Sequence, residues 1–243
     1  MKKKFLLVLV LLCAVLLLSA CGEKKEAAPL AASTGKVPTV INAAEYTLYQ
    51  NIFFNNYASQ YDGKSVSKRG IFTTIQDEYF GATRYYVWGY LDNTLCCDWQ
   101  WEMQVDDPSV LPANGSLVDV SGTFVSDAGA LDGYWISGAQ VTTLTTYTGA
   151  KADVDMTTMS DTLERVQILN YQAYPEQFEG KSVFAFGRIS DMTNVEDPYY
   201  GSSSWTTAFA TSETVPAIGT NVVLRGTLNN GVISEAKIEN TDT

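Results

Sequence analysis

Two adjacent cysteines, Cys96 and Cys97, are the sharpest chemical feature of the chain. A thiolate can act as nucleophile, redox centre or metal ligand. The chain contains no histidine, which excludes Ser-His-Asp and Cys-His relays and every His-ligated metal site. Three readings of the pair stand. From Leu95 to Val105 the apolar residues hold the odd positions, so strand alternation turns Cys97 into a core and Cys96 onto the polar face. A vicinal disulfide would force the Cα atoms to about 3.8 Å, below the usual disulfide range of about 4.4–6.8 Å. Redox or metal work by Cys96 and Cys97 is the third, although two thiols without histidine or further cysteines make a poor zinc site.

Aromatic residues form the second constellation. Tyr85, Tyr86, Trp88, Tyr90, Trp99 and Trp101 crowd one hairpin, and Tyr199, Tyr200 and Trp205 lie in a later, corresponding segment. Alternation sends Trp99 and Trp101 inward. Tyr86, Trp88 and Tyr90 have the opposite parity to Tyr85, Val87 and Leu91, so one set faces outward. Tyr86, Trp88 and Tyr90 are the candidate ligand face, because exposed rings stack on sugars as well as on bases. Core filling is the other use of such rings. The acids Asp106, Asp107, Asp127, Asp132, Glu196 and Asp197 fall in predicted loops without EF-hand spacing. No catalytic residue, cofactor motif or metal site is assigned, and no enzymatic activity is expected.

The amino terminus carries an address. Lys2, Lys3 and Lys4 precede an apolar run from Phe5 to Leu18, shorter than the roughly 20 residues of a membrane span. Leu18-Ser19-Ala20-Cys21 comes next and resembles the lipobox of bacterial lipoproteins. The resemblance implies a signal peptide over residues 1–20, cleavage after Ala20 and acylation (palmitate or a related chain) of the Cys21 thiol. The expected location is the extracytoplasmic face of the cell membrane, inner or outer where the host has two. Removing residues 1–20 takes away three lysines and no acid, leaving 13 basic against 27 acidic residues, a net charge of −14. Such a surface repels phosphate backbones, so nucleic acid is not an expected partner.

The remainder of the chain must position these features. Residues 21–40 read as a flexible linker. Beyond it the chain repeats itself. Asp62-Gly63-Lys64-Ser65-Val66 recurs as Glu179-Gly180-Lys181-Ser182-Val183, an offset of 117. Residues 115–124 match 219–228 at offset 104, and 136–141 match 233–238 at offset 97. The second copy thus lacks 13 residues before its middle block and seven in its last hairpin. There Asn230-Gly231 suits a type I′ turn.

An amphipathic helix precedes each copy. Tyr46, Tyr49, Phe53, Tyr57 and Tyr61 make the first stripe, with Asn42 and Glu45 as a capping box. Leu163, Val166, Leu169 and Ala173 make the second, which Pro175 ends. Strands are predicted near 64–76, 84–92, 95–105, 116–125 and 134–145, with Gly70 bending the first. The fold class expected is mainly β with one helix per repeat: two tandem small antiparallel OB-like barrels, over 41–149 and, abbreviated, over 150–243. Two sandwich-like halves sharing one core are the alternative.

The order helix, Asn-Asn-Tyr (55–57), Asp-Gly-Lys-Ser-Val (62–66) and Gly-Thr-Phe (122–124) resembles the tRNA-anticodon-like OB domain of bacterial lipoproteins. Leu95-Cys96-Cys97-Asp98 is similar to the Cys-Cys strand of small bacterial membrane proteins with an extracytoplasmic OB-like domain, although Trp99-Gln100-Trp101 departs from that pattern. These likenesses imply a fold. The function expected is that of an anchored binding or interaction module for an envelope protein or polymer. A thiol redox or metal-binding protein and a carbohydrate-binding module are the alternatives.

Overall fold

The computed structural model describes residues 39–77, 81–93, 97–127, 130, 132–149 and 152–240. Cys21, the signal sequence, most of the linker and Cys96 lie outside the described residues. The end of the predicted linker already belongs to the fold. Tyr90 donates its N–H to the Thr39 carbonyl at 2.7 Å, and Ile41 donates to the Tyr90 carbonyl at 2.9 Å.

Helix α1 spans Ala43–Tyr49, and its capping box is formed by Asn42 and Glu45. A π-helical turn, Gln50–Phe54, comes next and then a short 3-10 turn, Ala58–Gln60. The extra residue in the π turn breaks the expected stripe. Ile52 goes inward, whereas Tyr46, Phe53 and Tyr57 are exposed.

Strands β1 (Ser65–Asp77), β2 (Ala82–Tyr90), β3 (Asp98–Met103), β4 (Leu117–Ser126) and β5 (Tyr134–Thr145) close into a barrel in the order β1-β2-β3-β5-β4. Neighbours are antiparallel except for β3 and β5, which run parallel. Gly70 permits the crossing of β1 over β2, because a Cβ there would overlap the Trp88 carbonyl oxygen. Trp99, Trp101, Phe124 and Tyr134 fill the interior with Phe72, Val87 and Val118. Trp99 and Trp101 meet edge-on at 4.9 Å between ring centres.

The second half begins with β6 (Val154–Asp155) and a 3-10 turn, Met156–Thr158. Helix α2 (Asp161–Ala173) and the short α3 (Pro175–Phe178) continue it. Strands β7 (Ser182–Ile189), β8 (Asn194–Asp197), β9 (Gly201–Ala208), β10 (Asn221–Asn229) and β11 (Val232–Asn240) form a sheet in the order β11-β10-β7-β8-β9, with β6 beside β7. The inward face of α2 keeps Leu163 and, half-buried, Val166 of the expected stripe but continues through Ile168 and Tyr171, and Leu169 is exposed. Among the described residues no helix is long and apolar enough to cross a membrane.

Hydrogen bonds recur at the repeat offsets. Gly63 donates to Phe124 O and Gly180 to Leu228 O, and Phe124 donates to Lys64 O and Leu228 to Lys181 O. A buried helix carboxylate caps the first strand of each copy. Glu45 accepts the Arg69 N–H at 2.8 Å, and Glu164 accepts the Phe186 N–H at 3.1 Å. Each Gly-Thr motif also has a structural cause. A β-bulge at Gly122 and Gly226 brings the facing carbonyl, Ser137 or Ser234, to 2.7 Å and 2.6 Å from where a Cβ would sit. No side chain fits there.

The expectation of two barrels is corrected: one barrel is closed, and the second half is an open sheet. Its β9 and β11 come together only in the parallel bridge Phe209–Ile233. Ala210 and Ala236 there reproduce the two hydrogen bonds that Gln104 and Ala139 make in the barrel. The cause is the shortened hairpin. Asn230 and Gly231 take positive φ of 49° and 75°, as a type I′ turn requires, so only Val232 precedes Ile233 in β11.

The open ligand face is corrected too. Tyr86, Trp88 and Tyr90 are 2%, 0% and 3% exposed. They join Ile71 and Ile75 in a core that continues through Met156, Leu163, Val183 and Trp205 of the second half. The outer face of β2 is therefore a second inner face. Trp88 Nε1 donates to the Thr158 carbonyl at 3.0 Å, and Gln76 and Gln167 are bonded across the same seam.

Candidate functional site

Where the covered face ends, the two halves leave a cleft of about 430 Å³. Three separate segments build it: Cys97 and Asp98 at the start of β3, Asp161 to Arg165 in the first turn of α2, and Asp197 to Ser204 along β8 and β9.

Backbone satisfaction explains the local structure. The first N–H groups of α2 need acceptors. Ser160 Oγ takes the Leu163 N–H at 3.2 Å, and Asp98, from the other half, takes the Thr162 N–H at 2.9 Å and its hydroxyl at 2.8 Å. Asp197 is buried and accepts the N–H groups of Tyr199 and Tyr200 at 2.8 and 2.9 Å. That turn carries the Tyr200 ring outward, 59% exposed, and Ser203 Oγ donates to the Tyr200 carbonyl at 2.6 Å.

Asp98 and Asp197 are therefore structural. The Tyr200 ring, the hydroxyls of Ser203 and Ser204, the Arg165 guanidinium and the Asp161 carboxylate supply an aromatic platform ringed by donors and acceptors. Among the described residues no group of three or more His, Cys, Asp or Glu side chains is gathered as metal ligands would be.

Cys97 is exposed at this cleft rather than buried, which corrects its expected orientation. Strand β3 begins only at Asp98, so the alternation that holds for Trp99, Trp101 and Met103 does not extend back to the cysteine. The strand register relates the repeats here: Val87 faces Trp101, and its counterpart Val195 faces Thr207, so Trp99 corresponds to Trp205. Cys97 and Ser203 both line the cleft. Glu196 and Asp197, expected in a loop, lie in β8.

Two ionisable groups have surroundings that the sequence did not reveal. Lys68 is 1% exposed inside the barrel, its ammonium 4.9 Å from the centre of the Trp99 ring. Its Nζ has no hydrogen-bond partner among the described residues. Burial lowers its pKa to about 8 against an opposing pull from Glu45. Period-two alternation with Val66 could have placed it inward, and its counterpart at offset 117 is Ala185.

Asp132 is the other. Burial raises its pKa to about 6, aided by Asp98 and Glu102, while a 2.8 Å hydrogen bond from Gln100 opposes the rise. Because the folded chain holds this proton more tightly than the unfolded one, stability falls as pH rises from about 4 to 6 and stays reduced above that window. Asp132→Asn is expected to be more stable than the parent by about 2 kcal/mol above pH 7 and equal to it near pH 3. Urea unfolding at both pH values checks this.

No family model and no curated protein matches the chain.

Proposed function

We propose that this chain is a non-enzymatic, lipid-anchored extracytoplasmic binding module that holds a hydroxyl-rich envelope polymer in the cleft between its halves. The barrel is read as OB-like: five strands on a Greek-key path in which β4 returns to β1 and β3 lies beside β5. Proteins of that architecture bind oligomers on the β2–β3 face. Here the aromatic part of that face is covered by the chain's own second half, so an incoming ligand meets the adjoining cleft instead.

The observation that carries the reading is the exposed Tyr200 ring, which lines one cleft with Ser203 and Ser204 and whose turn is fixed by the buried Asp197. Rings presented in this way stack on the flat faces of sugars, and hydroxyl and guanidinium neighbours bond the rim. Titration of the chain with a panel of envelope glycans, followed by calorimetry, is expected to find one that binds. Tyr200→Ala should weaken it at least about tenfold, as loss of a stacking platform does. No heat across the panel, or an unchanged affinity in the variant, contradicts the proposal.

One observation favours the thiol function as a second reading: Cys97 is exposed in the same cleft. Thiol titration of non-reduced protein tests it, and two reactive thiols at positions 96 and 97 with no bound metal would contradict it.

A further inference from the structure

We infer that the face formed by Tyr46, Phe53, Phe54 and Tyr57 docks on the lipid surface to which Cys21 tethers the chain; the inference rests on the lipid-anchor reading. These rings are 42%, 43%, 68% and 44% exposed, and all lie within a dozen residues of one another.

Charge singles the face out. From Val40 to Tyr61 the only residue that is charged at neutral pH is Glu45. It is buried and occupied by the N–H groups of Asn42 and Arg69. The rest of the surface is polar and uncharged: Thr47, Gln50, Asn55, Asn56 and Gln60. On a mature chain of net charge −14 this neutral aromatic face is the side that an anionic leaflet repels least. Tyrosine rings with a polar tip, next to phenylalanine, suit the headgroup boundary.

The face is also firm. The π turn presents Phe53 and Phe54 together, Tyr49 packs on Phe53 at 4.9 Å, and Phe53 rests edge-on against Trp99 at 6.3 Å and Tyr134 at 6.2 Å. A lipid contact is thereby coupled to the barrel core. The tether enters beside it, for Thr39 is fixed to Tyr90 a few residues before α1. The linker that composition predicts between Cys21 and Thr39 would span on average about 23 Å, short enough to keep the face near the membrane at high effective concentration.

The test uses the full lipidated chain in phosphatidylcholine vesicles with brominated upper acyl carbons. Phe54→Trp places a reporter in the face, and Ile218→Trp, at an exposed site of the second half, is its control. Relative to the unsubstituted chain, bromolipid is expected to quench the Phe54→Trp signal at least about twofold more than that of Ile218→Trp, since docked rings sit about 5–10 Å into the boundary. A chain that floats with the vesicles but shows equal quenching at the two sites overturns the docking alone; it is also the result if the face takes a glycan or a protein. A chain that stays out of the vesicle fraction overturns the anchor, and the docking with it.

Discussion

Trp88→Ala is expected to destabilise the chain by about 4 kcal/mol, the range measured for deleting a fully buried large aromatic ring. Trp88 has no exposed surface and meets Tyr90 edge-on at 5.4 Å. Its indole is the barrel's main insertion into the core shared with Met156 and Leu163. Truncation leaves a cavity among the buried side chains of both halves. It also removes the donor to the Thr158 carbonyl, an acceptor inside the same seam. The effect should be seen in cooperativity as well as midpoint. The parent chain is expected to unfold in one transition because the halves share apolar surface, and the variant to separate toward two. Calorimetry with urea unfolding checks both; a loss below about 1 kcal/mol with one transition would contradict the shared core.

The second large effect has the opposite sign. Lys68→Met is expected to stabilise the chain by about 2 kcal/mol at neutral pH. The lowering of the lysine pKa from 10.5 to about 8 corresponds to about 3 kcal/mol of disfavoured charge. Loss of the attraction to the Trp99 ring gives back about 1 kcal/mol. Met has similar length and no proton to satisfy, and the corresponding position of the second half is already apolar in Ala185. The pH dependence gives an independent check. Between about pH 8 and 10.5 the unfolded parent binds more protons than the folded one, so its stability rises with pH through that window. The gap between parent and variant should therefore be constant below pH 8 and narrow by pH 10. A destabilised variant would show that the ammonium has a compensating partner.

The strands were legible because each obeys a period of two, and the predicted ranges fall close to those observed. The repeat was legible because its matched blocks contain residues whose backbone role is demanding: the turn at Gly63 and Gly180 and the bulge at Gly122 and Gly226. Parity separated Tyr86, Trp88 and Tyr90 from Val87 correctly, but parity says which residues share a face, not what covers it. The cover, Met156 and Leu163, comes about seventy residues later in the chain. The helix stripes held in part, at Tyr49, Tyr61, Leu163 and Val166, and failed elsewhere for local reasons, a π turn after Tyr49 and an inward face on α2 that also meets the barrel. The open second sheet resulted from a seven-residue deletion that the sequence displayed but whose effect on strand pairing it did not. The cleft was invisible, since its side chains come from three segments and its key turn depends on a single buried carboxylate, Asp197.

The central claim is that the covered β2 face diverts binding to the cleft at Tyr200. Hydrogen exchange of the full chain with and without the glycan that binds it tests this most directly. The account predicts new protection at the amides of Thr162, Tyr200, Ser203 and Ser204, with those of Tyr86, Trp88 and Tyr90 slow and unchanged. Protection that instead appears along β2, or exchange in β2 that is fast before any ligand is added, would contradict it.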